Sequence, residues 1–312
     1  MNTITTPHLT AERPARDRAP LPPAATGLRL PNFIIGGAIK GGTTSLNYYL
    51  KQHPDVYMSA FKEPRYFAYD PTNPEHVAGH GLRFPIKTLD EYAALFADSA
   101  GYRAVGETSP HYLRSDTAPQ LIAAAIPDVR LIFSLRDPVR RAYSSYWHRV
   151  RLGLEDRPAE VVLQPGDQAV EHGLYHAWLT RWYEQFDPAQ VKIILFDDLI
   201  GDALGVVADI CRFLEIDDTF VPDLSVKNRG GAMKNHRLGR LYETLKKHPL
   251  RRAIDPLVPA RLRQKMIETR DSNLEEPPPM PADLARRLYD YYREEVERLE
   301  GLIDRDLSNW KK

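Results

Sequence analysis

Residues 32–52 read Asn32-Phe33-Ile34-Ile35-Gly36-Gly37-Ala38-Ile39-Lys40-Gly41-Gly42-Thr43-Thr44-Ser45-Leu46-Asn47-Tyr48-Tyr49-Leu50-Lys51-Gln52. Phe33-Ile34-Ile35 has the length and composition of a buried strand. The glycines from Gly36 to Gly42 make a turn, and a helix pattern opens at Thr43 with Leu46, Tyr49 and Leu50 on one face. Strand, glycine loop and helix N-terminus together hold an anion. Backbone N–H groups converge there, and the helix dipole adds roughly half a positive charge. Lys40 adds a full charge, and Thr43, Thr44 and Ser45 add hydroxyl donors. The alternative is a glycine-rich turn of any doubly wound fold.

From Gly37 the spacing is that of a nucleoside-triphosphate loop, G-x-x-x-x-G, but Thr43 stands where that motif places its lysine. The lysine comes earlier, at Lys40. Hydroxyls in place of the usual lysine suit a phosphosulfate. A transferring sulfuryl carries less charge than a phosphoryl, so no metal is expected.

Composition sets broad limits. The chain has 312 residues, 43% hydrophobic and 27% charged, which is ordinary for a soluble globular protein. Its formal net charge is zero, so no global field points to nucleic acid. Cys211 is the single cysteine, so no internal disulfide can form; it falls in an apolar helix pattern as a buried small residue. No run approaches the roughly 20 apolar residues of a membrane span. Residues 1–29, with five prolines among charges and no apolar core, read as a disordered arm. Residues 30–312 read as one domain, its last part, 235–312, mostly a helical extension. These features together predict a cytoplasmic protein without integral membrane association; oligomeric state is not legible.

Strands and helices alternate downstream. Asp55–Met58, Arg103–Glu107, Val129–Leu135 and Val191–Phe196 read as strands. Thr88 with Glu91 forms a capping box. Asp137 and Pro138 open a helix whose apolar face is Val139, Tyr143, Tyr146, Trp147 and Val150. Residues 153–170 read as a polar loop, followed by a helix with Tyr175, Leu179 and Trp182. Residues 202–214 read as another helix, and 221–234 as a basic glycine loop. This order predicts an α/β, P-loop-like three-layer fold: a central parallel sheet flanked by helices, with a helical C-terminal extension.

A second constellation pairs Arg136, at the carboxyl end of a strand, with Ser144 two helical turns on. A guanidinium fork and a hydroxyl suit a phosphate monoester; the alternative is an Arg136–Asp137 ion pair. With both constellations in hand, the chain resembles the sulfotransferases that use 3′-phosphoadenosine 5′-phosphosulfate (PAPS). Lys40-Gly41-Gly42-Thr43-Thr44-Ser45 resembles that family's 5′-phosphosulfate loop, and the segment from Phe133 to Ser144 resembles its 3′-phosphate strand and helix. The resemblance covers roughly residues 30–235. It implies that Lys40, Gly41, Gly42, Thr43, Thr44 and Ser45 bind the 5′ side of PAPS and Arg136 and Ser144 its 3′-phosphate.

Lys62-Glu63-Pro64 resembles a segment of the heparan-sulfate branch and its bacterial relatives, which implies Glu63 as the base and Lys62 as its cationic neighbour. A surface Lys–Glu pair before a proline turn is the alternative. The segment from Glu107 to Tyr112 resembles one lining the acceptor side; several heparan-sulfate members carry lysine where this chain has Thr108, and His111 or Glu107 offers a further basic group. Tyr175 falls on a helix resembling one beside the nucleotide. Arg229 and Gly230 loosely resemble a loop closing over the 3′-phosphate. The implied function is sulfuryl transfer from PAPS to a hydroxyl of a carbohydrate, glycolipid or small-molecule natural product. A small-molecule kinase or a non-catalytic nucleotide-binding protein are the rivals.

Overall fold

The computed structural model describes residues 28–73, 76, 84–224, 232–233, 274–275 and 277–312. Five strands form its main sheet: β1 (Phe33–Gly37), β2 (Val56–Met58), β3 (Ala104–Thr108), β4 (Arg130–Leu135) and β5 (Val191–Leu195). Their spatial order is β2-β3-β1-β4-β5, and every pairing is parallel. β1 is central and buried at all five positions. That is why its sequence is a continuous apolar run rather than an alternating one.

The pleat divides the core in two. Phe33 and Ile35 of β1 face one layer with Ile132 of β4 and Ile194 of β5. That layer is completed by α1 (Thr43–Leu50), through Leu46 and Leu50, and by a helix at Ala203–Leu214, through Val207, Ile210 and Cys211. Ile34, Leu131, Phe133 and Leu135 face the other layer. Successive strand side chains point to opposite faces, so a single strand feeds both cores.

The second layer holds α2 (Leu89–Ala94), α3 (Ala118–Ala125), α4 (Pro138–Arg151), α5 (Ala159–Val162), α6 (Gln168–Glu171) and α7 (Tyr175–Tyr183). The expected capping box at Thr88 and Glu91 is present. Residues 153–170, expected as a polar loop, instead contain α5 and part of α6. Each is one turn long, too short to leave a helical period in the sequence. After β5 come α8 (Phe196–Gly201) and α9, the Ala203–Leu214 helix already placed.

The C-terminal helix α10 (Ala282–Ile303) repeats Leu284, Leu288, Tyr292, Val296 and Leu299 along one buried face. This spacing makes an apolar stripe, and the helix packs back onto the α4–α7 layer. Tyr292 donates to the Val170 carbonyl at 2.6 Å, and Glu295 accepts from the His176 amide at 2.6 Å. Within the stretch expected as loop and helix, Ala232–Met233 pairs antiparallel with Leu274–Glu275 as β6 and β7. Of the expected arm at 1–29, residues 1–27 lie outside the described residues, as do residues 235–273 of the expected extension.

The chain runs from β1 to one side of the sheet, through β2 and β3, and then crosses to β4 and β5 on the other. α1 leaves β1 on one face and α4 leaves β4 on the opposite face. The carboxyl ends of these adjacent strands therefore open a crevice, the place where α/β sheets bind ligands.

Candidate active site

The loop from Gly37 to Gly42 is held against β4. The Ala38 amide donates to the Ser134 carbonyl at 2.8 Å, and the Gly41 amide returns to Ala38 at 2.9 Å. Ser134 donates its hydroxyl to the Gly41 carbonyl at 2.5 Å. A Cβ on Gly41 would lie 2.1 Å from the Ser134 carbonyl oxygen, so the close approach requires glycine. Gly42, at φ 89°, turns the chain into α1. The first turn of a helix leaves its amides without intrahelical partners, and here Thr43 and Thr44 open that turn.

Lys40 is half-buried beside this turn. Burial, then the guanidinium groups of Arg151 and Arg136, bring its ammonium down to about 8. Three cations thus share one region, and an anion there relieves their mutual repulsion.

Glu63 enters from the segment after β2. Its amide donates to the Thr108 carbonyl at 3.0 Å, stitching the segment to the end of β3. Its carboxylate is paired with Arg65 and lies 3.8 Å from Nδ1 of His111. Lys62 Nζ is 4.0 Å from Glu63 and donates to the Thr44 hydroxyl at 2.5 Å. Lys62 therefore bridges the expected base and the expected anion loop. Arg65, given no role from sequence, is Glu63's nearer cation.

Backbone strain gathers here too. Lys40, Glu63 and Arg65 have φ of 68°, 60° and 57°. The other described non-glycine residues with positive φ, Glu215 and Asp304, lie at helix C-caps, where it is ordinary. Three such residues converging on one crevice mark a segment whose surroundings dictate its shape.

Glu107 lies beneath, fully buried, accepting from the Tyr92 hydroxyl at 3.2 Å. Burial pushes its carboxyl up to about 7, against hydrogen bonds that favour the anion; the charge of Glu63 pushes the same way as burial. Thr108 donates to Asn47 Oδ1 at 2.9 Å, and Ser109 accepts from the Arg65 amide at 3.1 Å. His111 is brought down to about 3, by burial first and then by Arg65 and Arg114, and is neutral near pH 7.

Across the crevice, Arg136 ends β4 with its guanidinium 4.7 Å from the Phe196 ring centre. Burial lowers its pKa. Asp137 is occupied elsewhere: it accepts from the amides of Val139 and Arg140 at 2.9 and 3.1 Å and from Tyr289 at 2.8 Å. Ser144 follows on α4, half-buried. Tyr175 is fully buried and donates to the Arg136 carbonyl at 2.9 Å, so it positions β4's end. Arg229 and Gly230 lie outside the described residues. Sequence reasoning gave no role to Arg65, Arg151 or Ser134. A lone serine in an apolar strand was the one legible signal among them.

Residues 31–220 match the family model described as the Sulfotransferase family. The chain belongs to the sulfotransferase family. A sulfotransferase crystal structure from Alicyclobacillus acidocaldarius is 31% identical, with a TM-score of 0.68 over 91% of this chain and 100% of that one. Human heparan sulfate glucosamine 3-O-sulfotransferase 6 is 31% identical over 216 residues, 67% of this sulfotransferase-family chain and 59% of that protein. The membrane-associated sulfotransferase kil1 of Dictyostelium discoideum is 36% identical over 120 residues, 38% of this chain and 23% of that protein. The chain thus spans less than two thirds of either curated relative. Among the described residues, no helix is long and apolar enough to cross a membrane.

Proposed function

We propose that this chain transfers a sulfuryl group from PAPS to a hydroxyl on a carbohydrate, glycolipid or small-molecule natural product. The bridge from Glu63 through Lys62 to Thr44 carries the reading, because it places a carboxylate beside an anion loop in one connected cluster. The donor set fits the nucleotide. Lys40, the loop amides and three hydroxyls suit a 5′-phosphosulfate, and Arg136 with Ser144 suits a separate phosphate monoester.

Bound PAPS supplies an activated sulfuryl group, with adenosine 3′,5′-bisphosphate (PAP) as the leaving product. Lys40 and the first-turn amides of α1 stabilise the charge that grows on the leaving phosphate, acting as donors aimed in advance. Glu63 takes the proton of the attacking hydroxyl. Arg65 fixes the orientation of that carboxylate, and Lys62 ties it to Thr44. Glu63 is preferred over His111, whose burial beside two arginines makes it a poor proton acceptor at neutral pH. The cytoplasm is the proposed location.

Melting temperatures with PAP, with ATP plus magnesium and with 5′-AMP test the reading. A ligand at about 100 times its dissociation constant adds about 2.7 kcal/mol, readily seen as a shift. PAP is expected to give the large shift. A shift with ATP plus magnesium and none with PAP would overturn the proposal in favour of a kinase.

A further inference from the structure

The sheet brings an arginine of the crevice against a ring that the reaction above leaves unused. β4 and β5 run parallel with Leu135 opposite Leu195. The next residue of each, Arg136 and Phe196, therefore leaves the carboxyl edge side by side. Phe196 opens α8 and is half-buried. The guanidinium carbon of Arg136 lies over its ring, 4.7 Å from the centre, within cation–π reach.

This ring is what holds the arginine side chain. Among the described residues, the Arg136 guanidinium makes no hydrogen bond and no ion pair. The neighbouring Asp137 caps α4 and accepts from Tyr289. Tyr175 fixes the Arg136 carbonyl, not its side chain. A long side chain without a fixed partner loses rotamer freedom when it binds, and that loss weakens binding. A ring that holds the cation beforehand reduces the loss. It does so without an oxygen acceptor, so N–H donors stay available for a phosphate.

The same ring touches the anion loop. A Cβ on Gly42 would come within 2.9 Å of Cδ2 and Cε2 of Phe196 and of Cδ2 of Leu199. Leu199 belongs to the core beneath, against which Phe196 packs. The ring is thus wedged between Leu199, the turn into α1 and Arg136, and its place is set by the core rather than by solvent.

We infer that Phe196 is a positioning residue for nucleotide selectivity: it holds the Arg136 guanidinium where a 3′-phosphate arrives, and so separates 3′-phosphorylated adenosine nucleotides from those that lack this group. This rests on the sulfuryl-transfer reading, in which Arg136 binds the 3′-phosphate of PAPS.

Titration calorimetry on the full chain separates the two ideas. PAP is titrated directly and 5′-AMP by competition against PAP, so that a weak affinity is still measured. The ratio of the two affinities reports the 3′-phosphate. Wild type is expected to favour PAP by about tenfold or more, as charge-assisted bonds to a guanidinium are strong. No PAP binding, or no preference, sinks the sulfuryl-transfer reading itself. Arg136→Gln is expected to remove most of the preference; a preference left whole would place the 3′-phosphate elsewhere and overturn the inference. Phe196→Leu is expected to cut the ratio roughly three- to tenfold, the strength of such a contact, with 5′-AMP affinity unchanged. With Arg136→Gln already present, the same substitution should leave the ratio alone, because the ring acts through the arginine. Phe196→Tyr keeps the ring face and should keep the ratio. Pentafluorophenylalanine at position 196 keeps the ring's outline and reverses its quadrupole. It should cut the ratio as Phe196→Leu does, and it carries the test alone if Phe196→Leu does not fold. An equal loss of PAP and 5′-AMP would make Phe196 a prop of the loop or a contact of the base. That outcome, an unchanged ratio, or an equal fall without Arg136 overturns the inference.

Discussion

Lys40 is charged against the opposition of its own surroundings. Burial and two guanidinium groups bring it down to about 8, so in the free protein it loses its proton as pH rises through that value. An anion beside it favours the charged form, and binding is then linked to proton uptake above pH 8. PAP affinity is expected to fall between pH 8 and 9.5, by up to about tenfold per pH unit. Lys40→Ala should bind PAP more weakly and with a flatter profile, and calorimetry across that range reads both. A wild-type profile as flat as the variant's would remove Lys40 from the anion site. Glu63 makes a different demand, because its proposed part is in proton transfer. Glu63→Gln keeps the size and loses the base, so turnover is expected to fall by about 10²–10⁴-fold with PAP affinity intact. Radiolabelled sulfuryl transfer and PAP titration measure the two separately, and loss of PAP binding would make Glu63 a structural residue.

At the scale of elements, the site is one loop pressed against one strand. Gly41 sits on the Ser134 carbonyl, and Ser134 reaches back to the Gly41 carbonyl. Backbone meets backbone there, so an added methyl cannot be relieved by rotating a side chain. Gly41→Ala is expected to cost about 1–3 kcal/mol of stability, the usual penalty for overpacking, and to weaken PAP at least tenfold. Denaturant melts and PAP titration check this; an unchanged PAP affinity would mean that loop shape is not what binds the nucleotide. The same contact shows what sequence could reveal. β1, the loop and α1 were legible because strand composition, glycines and helix period are local properties of adjacent residues. The Asp137 cap was legible for the same reason. The partnership of Gly41 with Ser134 depends on β1 lying beside β4, which the order of the sheet decides and no local pattern records. Arg65 escaped notice because its pairing with Glu63 follows from a backbone in the left-handed region at both residues, which neither residue type announces. α5 and α6 left no period, and what fixes them is tertiary: Arg149 of α4 grips Asp167, the N-cap of α6, with two bonds of 2.9 and 3.0 Å.

The whole molecule carries the cost of the site. α10 returns from the far end of the chain to place the Tyr289 hydroxyl on Asp137, the cap of the helix that bears Ser144, so the C-terminal helix supports the side of the crevice proposed for the 3′-phosphate. Beneath Glu63, on the side proposed for the acceptor, lies Glu107, fully buried at the end of β3, in the second strand from the edge. Its folded carboxyl titrates near 7, against an unperturbed value of 4.5. The folded protein thus keeps a proton that the unfolded chain has already released between those two values. Stability is fully present below pH 4.5 and is lost as pH rises through 7, by about 3 kcal/mol in total at roughly 1.4 kcal/mol per pH unit. Glu107→Gln replaces the acid with a neutral group of similar shape, one that can still accept from Tyr92, and so removes this pH dependence. Between pH 5 and pH 8 the wild type is expected to lose several degrees of melting temperature relative to the variant. Calorimetric scans of both proteins at the two pH values decide the matter. An equal loss in wild type and variant would mean that Glu107 is ionised in the folded protein throughout this range, and the pH dependence of stability would then belong to other buried groups.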